Sequence, residues 1–167
     1  IIVADTLLSG PNGLAGDWGH LSLPWPVDYE MDGRICICGR AGCLEHFVSL
    51  GGLSHDYELL TGNKLTAEDI IKQAETGNIV AESAMQVIED RIARGLAMVI
   101  GLLDPDIILI SGILAENERL FTNIPQKWPG YIRASVNSEI LVPLRNSHPR
   151  PDYLYLQGAA NLCYYSK

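Results

Sequence analysis

LLDPDIILISG, residues 102–112, joins two sequence patterns of different period and decides the fold. Asp104-Pro105-Asp106 ends a helical pattern, because proline cannot donate the backbone hydrogen bond that a continuing helix needs. The next four residues, 107–110, are all apolar and are followed by Ser111-Gly112, which is typical of a strand buried on both faces. A helix that leads into such a strand predicts an α/β fold.

The helical pattern before this break covers residues 80–103. Its apolar side chains recur every three or four positions, and Asp90 with Arg94 forms a favourable i,i+4 pair. The apolar positions are Ala84, Val87, Ile88, Ile92, Leu96, Val99, Ile100 and Leu103. We predict one long helix whose apolar C-terminal end is buried.

Shorter patterns lie on both sides of these elements. We predict strands over residues 1–8, 20–23 and 139–144. Helices are expected over residues 42–53, from Thr66 to Gly77, on both sides of Pro125 within residues 116–133, and over residues 158–165. With no internal repeat or linker in the sequence, we interpret residues 1–167 as a single domain.

Composition narrows the class of protein. The chain has 167 residues, 47% hydrophobic and 19% charged, which fits one ordered domain with a real core. Its formal net charge is −8, and it has no cluster of lysine and arginine, so we expect no nucleic-acid partner. No run approaches the ~20 apolar residues of a membrane span, and no signal peptide is evident. We therefore expect no membrane partner and a cytoplasmic location.

Residues 33–45, GRICICGRAGCLE, contain three of the four cysteines. In a reducing compartment such a cluster indicates metal or redox chemistry more than disulfides. Cys36, Cys38 and Cys43 supply three thiolates, one fewer than a closed structural zinc site requires. His20, at the edge of a loop and a strand, is the best fourth ligand.

The other histidines fit less well, because His46 would point along the new helix and His55 lies beyond it. Gly39 and Gly42 allow the tight turn that would face the thiols toward one ion. The alternative is three buried or redox-active cysteines without a metal. Cys163 has no such neighbours, and we interpret it as an apolar residue of the last helix.

Three stretches together resemble the C-terminal lobe of the ROK family of repressors, open reading frames and kinases, which includes bacterial glucokinases and fructokinases. They are GLAGDWGH (13–20), CICGRAGCLE (36–45) and LLDPDIILISG (102–112). The resemblance extends to GAA at residues 158–160, and LPWP at residues 23–26 is similar to the fructokinase-like branch. It implies the C-terminal lobe of an actin-like ATPase (ribonuclease H-like) fold with a zinc-stapled loop.

The resemblance also implies roles for individual residues. Zinc would be held by His20, Cys36, Cys38 and Cys43. The sugar would be bound by Asp17, His20 and Glu45, with the metal-fixed loop orienting the last two, and Ser111 with Gly112 would contact the nucleotide. From the residues alone, the alternative interpretation of Glu45 is an acid at a helix N-terminus, and that of Asp17 is a solvated loop acid.

The sequence departs from the family pattern in three ways. Asp17 stands where the family usually has glutamate, one methylene longer. The glycine-rich adenosine loop reads Ser111-Gly112-Ile113 instead of three glycines, so the Ile113 side chain can crowd a nucleotide. The N-terminal lobe, with its Asp-x-Gly-Gly-Thr phosphate loop and Asn-Asp pair, is absent, which leaves no catalytic residue in this chain.

Three functions follow as hypotheses. The first is one lobe of a fructokinase-like hexose kinase that uses ATP and Mg²⁺. Its expected partners are a hexose, ATP, and either a second copy of the chain or an N-terminal lobe, and the chain alone should be inactive. The second is a non-catalytic sugar-sensing or regulatory protein of the same family. The third is a zinc-stapled structural domain.

Overall fold

The computed structural model describes residues 1–143. The predicted helix over residues 158–165, with Cys163, lies outside these residues, as does Leu144 at the end of the last predicted strand. Helices dominate the described part, and a long central one contacts every other α-helix in it.

This central helix, α4, covers Ile79–Leu103 and confirms the predicted long helix. Asn78 caps its start, where the side-chain oxygen accepts hydrogen bonds from the Val80 and Ala81 N–H groups at 3.0 Å each. Asp90 and Arg94 form the expected pair, with 3.0 Å between Oδ2 and Nε. The prediction of a buried C-terminal end is wrong: Leu102 is 75% exposed, because the last turn extends past the described helices that cover the rest of α4. No helix within residues 1–143 combines the length and apolarity needed to cross a membrane.

Three further helices pack against α4: α2 (Leu50–Thr61), α3 (Ala67–Glu75) and α5 (Arg119–Lys127). Helix α3 confirms its prediction, since Thr66 Oγ1 accepts the Asp69 N–H at 3.2 Å. Helix α5 confirms helical structure on both sides of Pro125, which lies within it, but it begins only at Arg119 instead of at residue 116. The main core lies between these helices. Its most buried side chains include Leu53, Ile70, Met85, Ile88, Leu96, Leu120, Ile124 and Trp128.

The predicted helix over residues 42–53 is in fact two helices. Helix α1 covers Glu45–Val48, and α2 begins after Ser49, which is extended. Ser49 Oγ accepts the Gly52 N–H at 3.1 Å, so a serine cap starts a new helix where the apolar pattern suggested continuity. The two helices cross so closely that a side chain at Gly52 would collide with the His46 carbonyl.

The strands are short. Residues 1–8 form a hairpin instead of one strand: β1 (Ile2–Val3) pairs antiparallel with β2 (Thr6–Leu7). Ala4 and Asp5 make the two-residue turn with φ of 48° and 60°. Strand β3 (Ile108–Ile110) pairs in parallel with β4 (Leu141–Pro143), but burial on both faces is wrong, since Leu109 is 51% exposed. Only these two strands form this sheet within residues 1–143, and Ile108, Ile110 and Leu141 pack against the main core while Leu109 faces away from it.

The predicted strand over residues 20–23 is also wrong. Trp18–His20 forms a turn of 3-10 helix, which ends in an extended Leu21. Ser22 alone makes a ladder contact, an isolated antiparallel bridge to Cys43. That bridge brings His20 to the cysteine loop.

Candidate metal and sugar site

The cysteine loop, residues 33–45, is a compact turn held by its own backbone. Ile35 and Ala41 form an antiparallel bridge, and the Cys36 N–H donates to the Arg40 carbonyl at 2.8 Å. Gly39 and Gly42 have φ of 83° and 76°, which confirms that the glycines allow the tight turn. The chain therefore returns on itself between Cys38 and Cys43.

A second set of backbone bonds joins this loop to the segment after His20. The Leu23 N–H donates to the Gly42 carbonyl at 2.9 Å, and the Leu44 N–H donates to the Leu21 carbonyl at 2.8 Å. Because this pairing brackets Cys43, its thiol lies 3.7 Å from the His20 carbonyl oxygen. His20 thus sits among cysteines that are distant from it in sequence.

The predicted ligand atoms of His20, Cys36, Cys38 and Cys43 all lie within 4.8 Å of one another. His20 Nδ1 is 3.5 Å from Cys36 Sγ, and Cys38 Sγ is 3.5 Å from Cys43 Sγ. A tetrahedral zinc ion with bonds of about 2.3 Å to sulfur and about 2.0 Å to nitrogen would separate its ligands by roughly 3.5 to 3.8 Å. The donor set and its spacing therefore fit zinc. Among residues 1–143, neither His46 nor His55 joins this group.

The thiols have unequal surroundings. Hydrogen bonds from the Arg40 backbone N–H and guanidinium lower the pKa of the exposed Cys38 thiol to about 6. Burial raises the pKa of the Cys43 thiol to about 11, reinforced by its contacts with Cys38 and Cys36. One thiol already favours the thiolate form that binds metal, while the buried one needs a cation to stabilise its negative charge.

Glu45 adjoins this cluster. It is the first residue of α1, and its Oε2 lies 3.6 Å from His20 Nδ1 with the side chain 49% exposed. Helix α1 has only four residues, so few peptide dipoles align with it, which weakens the helix-terminus interpretation of Glu45. A cavity of about 180 Å³ opens beside it, lined by Cys36, Ile37, Glu45, His46 and Ser49. This volume is below the roughly 300 Å³ at which ligand pockets usually begin.

The other predicted residues lie around this centre or away from it. Asp17 immediately precedes the turn Trp18–His20, is exposed and attracts the Arg40 guanidinium. Ser111 and Gly112 follow β3, and Gly112 has φ of 89° and ψ of −173°, a combination that in practice only glycine adopts. Within residues 1–143, no hydrogen bond joins these two residues to the cysteine cluster.

A charged network behind the loop was not predicted. Glu30 is 2% exposed, and its carboxylate accepts hydrogen bonds from Arg91 at 2.7 Å and from Arg94 at 2.6 and 2.9 Å. Arg91 also pairs with Asp56 of α2, which in turn pairs with Arg34 of the loop. The detectable signal was Arg91 itself, which falls three residues after Ile88 on the apolar stripe of α4.

The network changes the ionisation of its central acid. Burial alone would raise the pKa of the Glu30 carboxyl, but hydrogen bonds from Arg94, Arg91 and the Val27 N–H outweigh it and hold that pKa at about 2. Arg94 also donates to the Pro24 and Trp25 carbonyls at 3.1 and 2.8 Å. Fixed charges therefore attach residues 24–34 to α4.

Known proteins are similar to this chain in sequence and in fold. N-acetyl-D-glucosamine kinase of Yersinia pseudotuberculosis serotype O:1b (strain IP 31758) is 28% identical over 136 residues, which cover 79% of this chain and 45% of that protein. The chain thus spans about half the length of the curated relatives it matches.

Solved structures agree on the fold. The ROK hexokinase of Thermus thermophilus matches with a TM-score of 0.71 and 21% identity, over 92% of this chain and 52% of that one. A ROK family glucokinase of Streptomyces griseus in complex with glucose and AMPPNP matches with a TM-score of 0.72 and 21% identity, over 86% of this chain and 50% of that one. These neighbours have the actin-like ATPase fold.

A regulator is also similar. The ROK family transcriptional regulator homologous to the Escherichia coli MLC protein matches with a TM-score of 0.64 and 25% identity, over 83% of this chain and 36% of that one. Finally, the family model described as "ROK family" matches residues 1–163. This match covers nearly the whole sequence, and the chain belongs to the ROK family.

Proposed function

We propose that this chain supplies the sugar-binding and zinc-binding half of an ATP-dependent hexose kinase. The observation that carries the proposal is the Glu45 carboxylate 3.6 Å from the His20 imidazole, beside a cluster of zinc-type ligands. Relatives named as sugar kinases, and a neighbour in complex with glucose and AMPPNP, support it.

His20, Cys36, Cys38 and Cys43 would hold the zinc. Four protein ligands would close the coordination shell, so the ion would supply a structural crosslink and no open position for a substrate. The crosslink joins the turn after Asp17 to the loop before α1. It would thereby fix the distance between the His20 ring and the Glu45 carboxylate.

The sugar would lie against Glu45 and His20. A carboxylate accepts hydrogen bonds from two neighbouring hydroxyls, and the His20 Nε2 remains available when Nδ1 faces the thiols. Asp17 is the third contact and the weakest, because it is one methylene shorter than the usual glutamate. The small size of the cavity beside Glu45 is consistent with one wall of a larger cleft whose other wall a second lobe would form.

Phosphoryl transfer needs groups that, by the ROK resemblance, belong to a second lobe. The reaction depends on a base for the sugar hydroxyl, donors for the phosphates, and Mg²⁺ to neutralise charge. Ser111 and Gly112 would touch only the nucleoside side of ATP, where exposed Ile113 narrows the space. A companion lobe would bring the base and the phosphate loop, so the isolated chain should release no ADP above background with ATP, Mg²⁺ and hexoses.

The identity of the hexose is the finer part of the proposal. LPWP at residues 23–26 favours a fructokinase-like enzyme, whereas the relative from Yersinia is named as an N-acetyl-D-glucosamine kinase. We favour fructose. Calorimetric titration with fructose, glucose, mannose and N-acetylglucosamine ranks the candidates, and preferential binding of N-acetylglucosamine would overturn this choice.

Substitution of Glu45 tests the sugar site in the intact gene product. Leaving a bound hydroxyl without its acceptor costs about 1–3 kcal/mol, so Glu45→Ala should weaken hexose binding roughly tenfold or more. Glu68→Ala is the matched control, since Glu68 is also an exposed acid in a first helical turn, that of α3. Equal hexose affinity in Glu45→Ala, Glu68→Ala and the wild type, with zinc retained, would remove Glu45 from the site.

A sugar-sensing regulatory protein is the second candidate. The similarity to a ROK transcriptional regulator favours it, because that regulator matches at the same fold and at 25% identity. Such a protein would bind the hexose through the same residues without turnover. An ADP-release assay on the intact gene product separates the two, since robust sugar-dependent turnover contradicts the regulatory role.

A further inference from the structure

Arg34 lies behind the cysteine loop and belongs to neither the ligand set nor the proposed sugar contacts. Its side chain is 8% exposed, although the loop around it faces solvent. The guanidinium bonds Asp32 through Nε at 2.8 Å and Asp56 through Nη2 at 3.2 Å. It also stacks over the Phe47 ring, with 4.4 Å from Cζ to the ring centroid.

These contacts join the two ends of the loop. Arg34 precedes Cys36 by two residues, and its Nη1 reaches the carbonyl of His46, the residue after Glu45, at 3.5 Å. Its own carbonyl accepts the Gly42 N–H at 3.4 Å. One residue therefore contacts the chain both before the first thiol and after the last.

The partners of Arg34 are themselves immobilised. Asp56 pairs with Arg91 of α4, and Arg91 with Arg94 holds the buried Glu30. The planar guanidinium is fixed by two carboxylates and one aromatic face, an arrangement that the ammonium of lysine does not reproduce. Ion pairs thus connect the loop to both α2 and α4.

We propose that Arg34 is a positioning residue that closes the cysteine loop onto α1 and so holds the metal ligands and Glu45 in register. This inference rests on the proposed zinc site. Bringing the ends of a loop together has an entropic cost, and the Arg34 contacts meet that cost independently of the ion. Zinc then enters a set of ligands that is already assembled, and it dissociates slowly because the loop does not open.

Zinc release tests the role without an activity assay. The zinc-loaded wild type, Arg34→Lys and Arg34→Met are mixed with a chromogenic chelator, and the release rate is followed. Outer contacts of metal ligands change affinity by about 10- to 100-fold, and we expect zinc release from Arg34→Met to accelerate by about that factor. Arg34→Lys should fall between this variant and the wild type.

Arg119→Met is the matched control. Arg119 is another arginine between two carboxylates, Glu82 and Glu89, and its side chain is 22% exposed, but it joins α4 to α5. The Arg119→Met substitution should lower the stability of the fold, while zinc should dissociate at the wild-type rate. If Arg34→Met does not fold, Arg34→Lys decides the question by the same rate.

The outcomes separate this inference from the proposal beneath it. A wild-type chain that binds no zinc overturns the metal site and the role of Arg34 with it. A wild type that binds zinc, with Arg34 variants that release it no faster, overturns the role of Arg34 alone. Equal acceleration in Arg119→Met also overturns that role, since general loosening would then explain the effect.

Discussion

The site segment, residues 17–49, and the helical body, residues 50–130, are stabilised by different means. The helical body buries a continuous apolar core between α2, α3, α4 and α5. The site segment buries only Leu23, Leu44 and Phe47 in a small cluster of its own. Loop pairing and buried ion pairs supply the rest of its order, to which the proposed zinc would add. The body therefore depends on many weak contacts, and the segment on a few strong ones that can be removed singly.

Removal of the metal should have the largest effect, and it should act on the site segment and not on the helical body. Structural zinc contributes on the order of 10 kcal/mol in small zinc peptides, so its removal raises the open population of residues 36–43 even though the Arg34 contacts still join the two ends of the loop. We expect trypsin to cleave after the exposed Arg40 at least about tenfold faster once zinc is chelated away, because cleavage follows the open population. Sites in the helical body, such as Lys72, should be cut at an unchanged rate, as followed by mass spectrometry. Equal cleavage after Arg40 with and without zinc would contradict a metal-held loop.

Glu30→Ala should have the next largest effect. It leaves Arg91 and Arg94 buried without their shared acceptor, and breaking a buried ion pair on one side costs about 3–5 kcal/mol. The control is Glu82→Ala, whose carboxylate is 35% exposed beside Arg119 and should contribute about 1 kcal/mol or less. Urea unfolding of the two variants measures both values. A smaller loss of unfolding free energy in Glu30→Ala than in Glu82→Ala would contradict the importance of Glu30 for stability.

The same carboxylate predicts a pH dependence. The pKa of Glu30 is about 2 in the folded protein against an ordinary value of 4.5, so its stabilisation is complete above pH 4.5 and is lost as the pH falls toward 2. The shift corresponds to about 3 kcal/mol. The facing cations are Arg91 and Arg94, and the nearby acids Asp56 and Asp90 pair with the same arginines.

Urea unfolding of the zinc-depleted protein between pH 5 and 2 isolates this contribution, because thiolate protonation then plays no part. Glu30→Gln should be less stable at pH 5 and should converge with the wild type as the pH approaches 2. Parallel stability curves for the two proteins would assign the acid sensitivity to other carboxyls.

Gly95→Ala should have the smallest effect and should act where the two regions touch. A methyl group there would lie 2.9 Å from both the Leu44 and Trp18 side chains. Overpacking typically costs about 1–3 kcal/mol, of which the better helix propensity of alanine returns up to about 1. Gly101→Ala is the control, since its added methyl meets no atom within 4 Å and should stabilise α4. Thermal unfolding of both variants should give shifts of opposite sign, and matching shifts would exclude a tight contact at Gly95.

Local signals in the sequence predicted the helical body better than the site segment. The apolar stripe of α4 and the Thr66 cap of α3 depend only on residues close in sequence, so the sequence alone predicts them correctly. The strand predicted over residues 20–23 failed because the order there comes from pairing with Cys43, which no local pattern encodes. The prediction of a single helix over residues 42–53 failed for the opposite reason. The apolar pattern continues across Ser49, but the local cap at Ser49 starts a new helix there.

The site residues were predicted from spacing and resemblance, whereas the residues that support them were not. The cysteine cluster is easy to recognise in the sequence, because cysteine is rare in this chain and three of them, Cys36, Cys38 and Cys43, lie close together. Arg34 and Asp56 are 22 residues apart, and each resembles an ordinary surface charge. Their pairing depends on how α2 crosses the loop, which is a property of the folded chain.

Helix α4 has a further consequence for the exchange of amide protons with solvent. Its residues 91–97 are buried without interruption, packed against the small apolar cluster of the site segment at Gly95 and against the main core elsewhere. Amides in such a stretch exchange only when a whole cooperative unit opens. A ligand that binds residues 20–45 stabilises that unit by mass action, so it should slow deuterium uptake along α4 at residues it never touches.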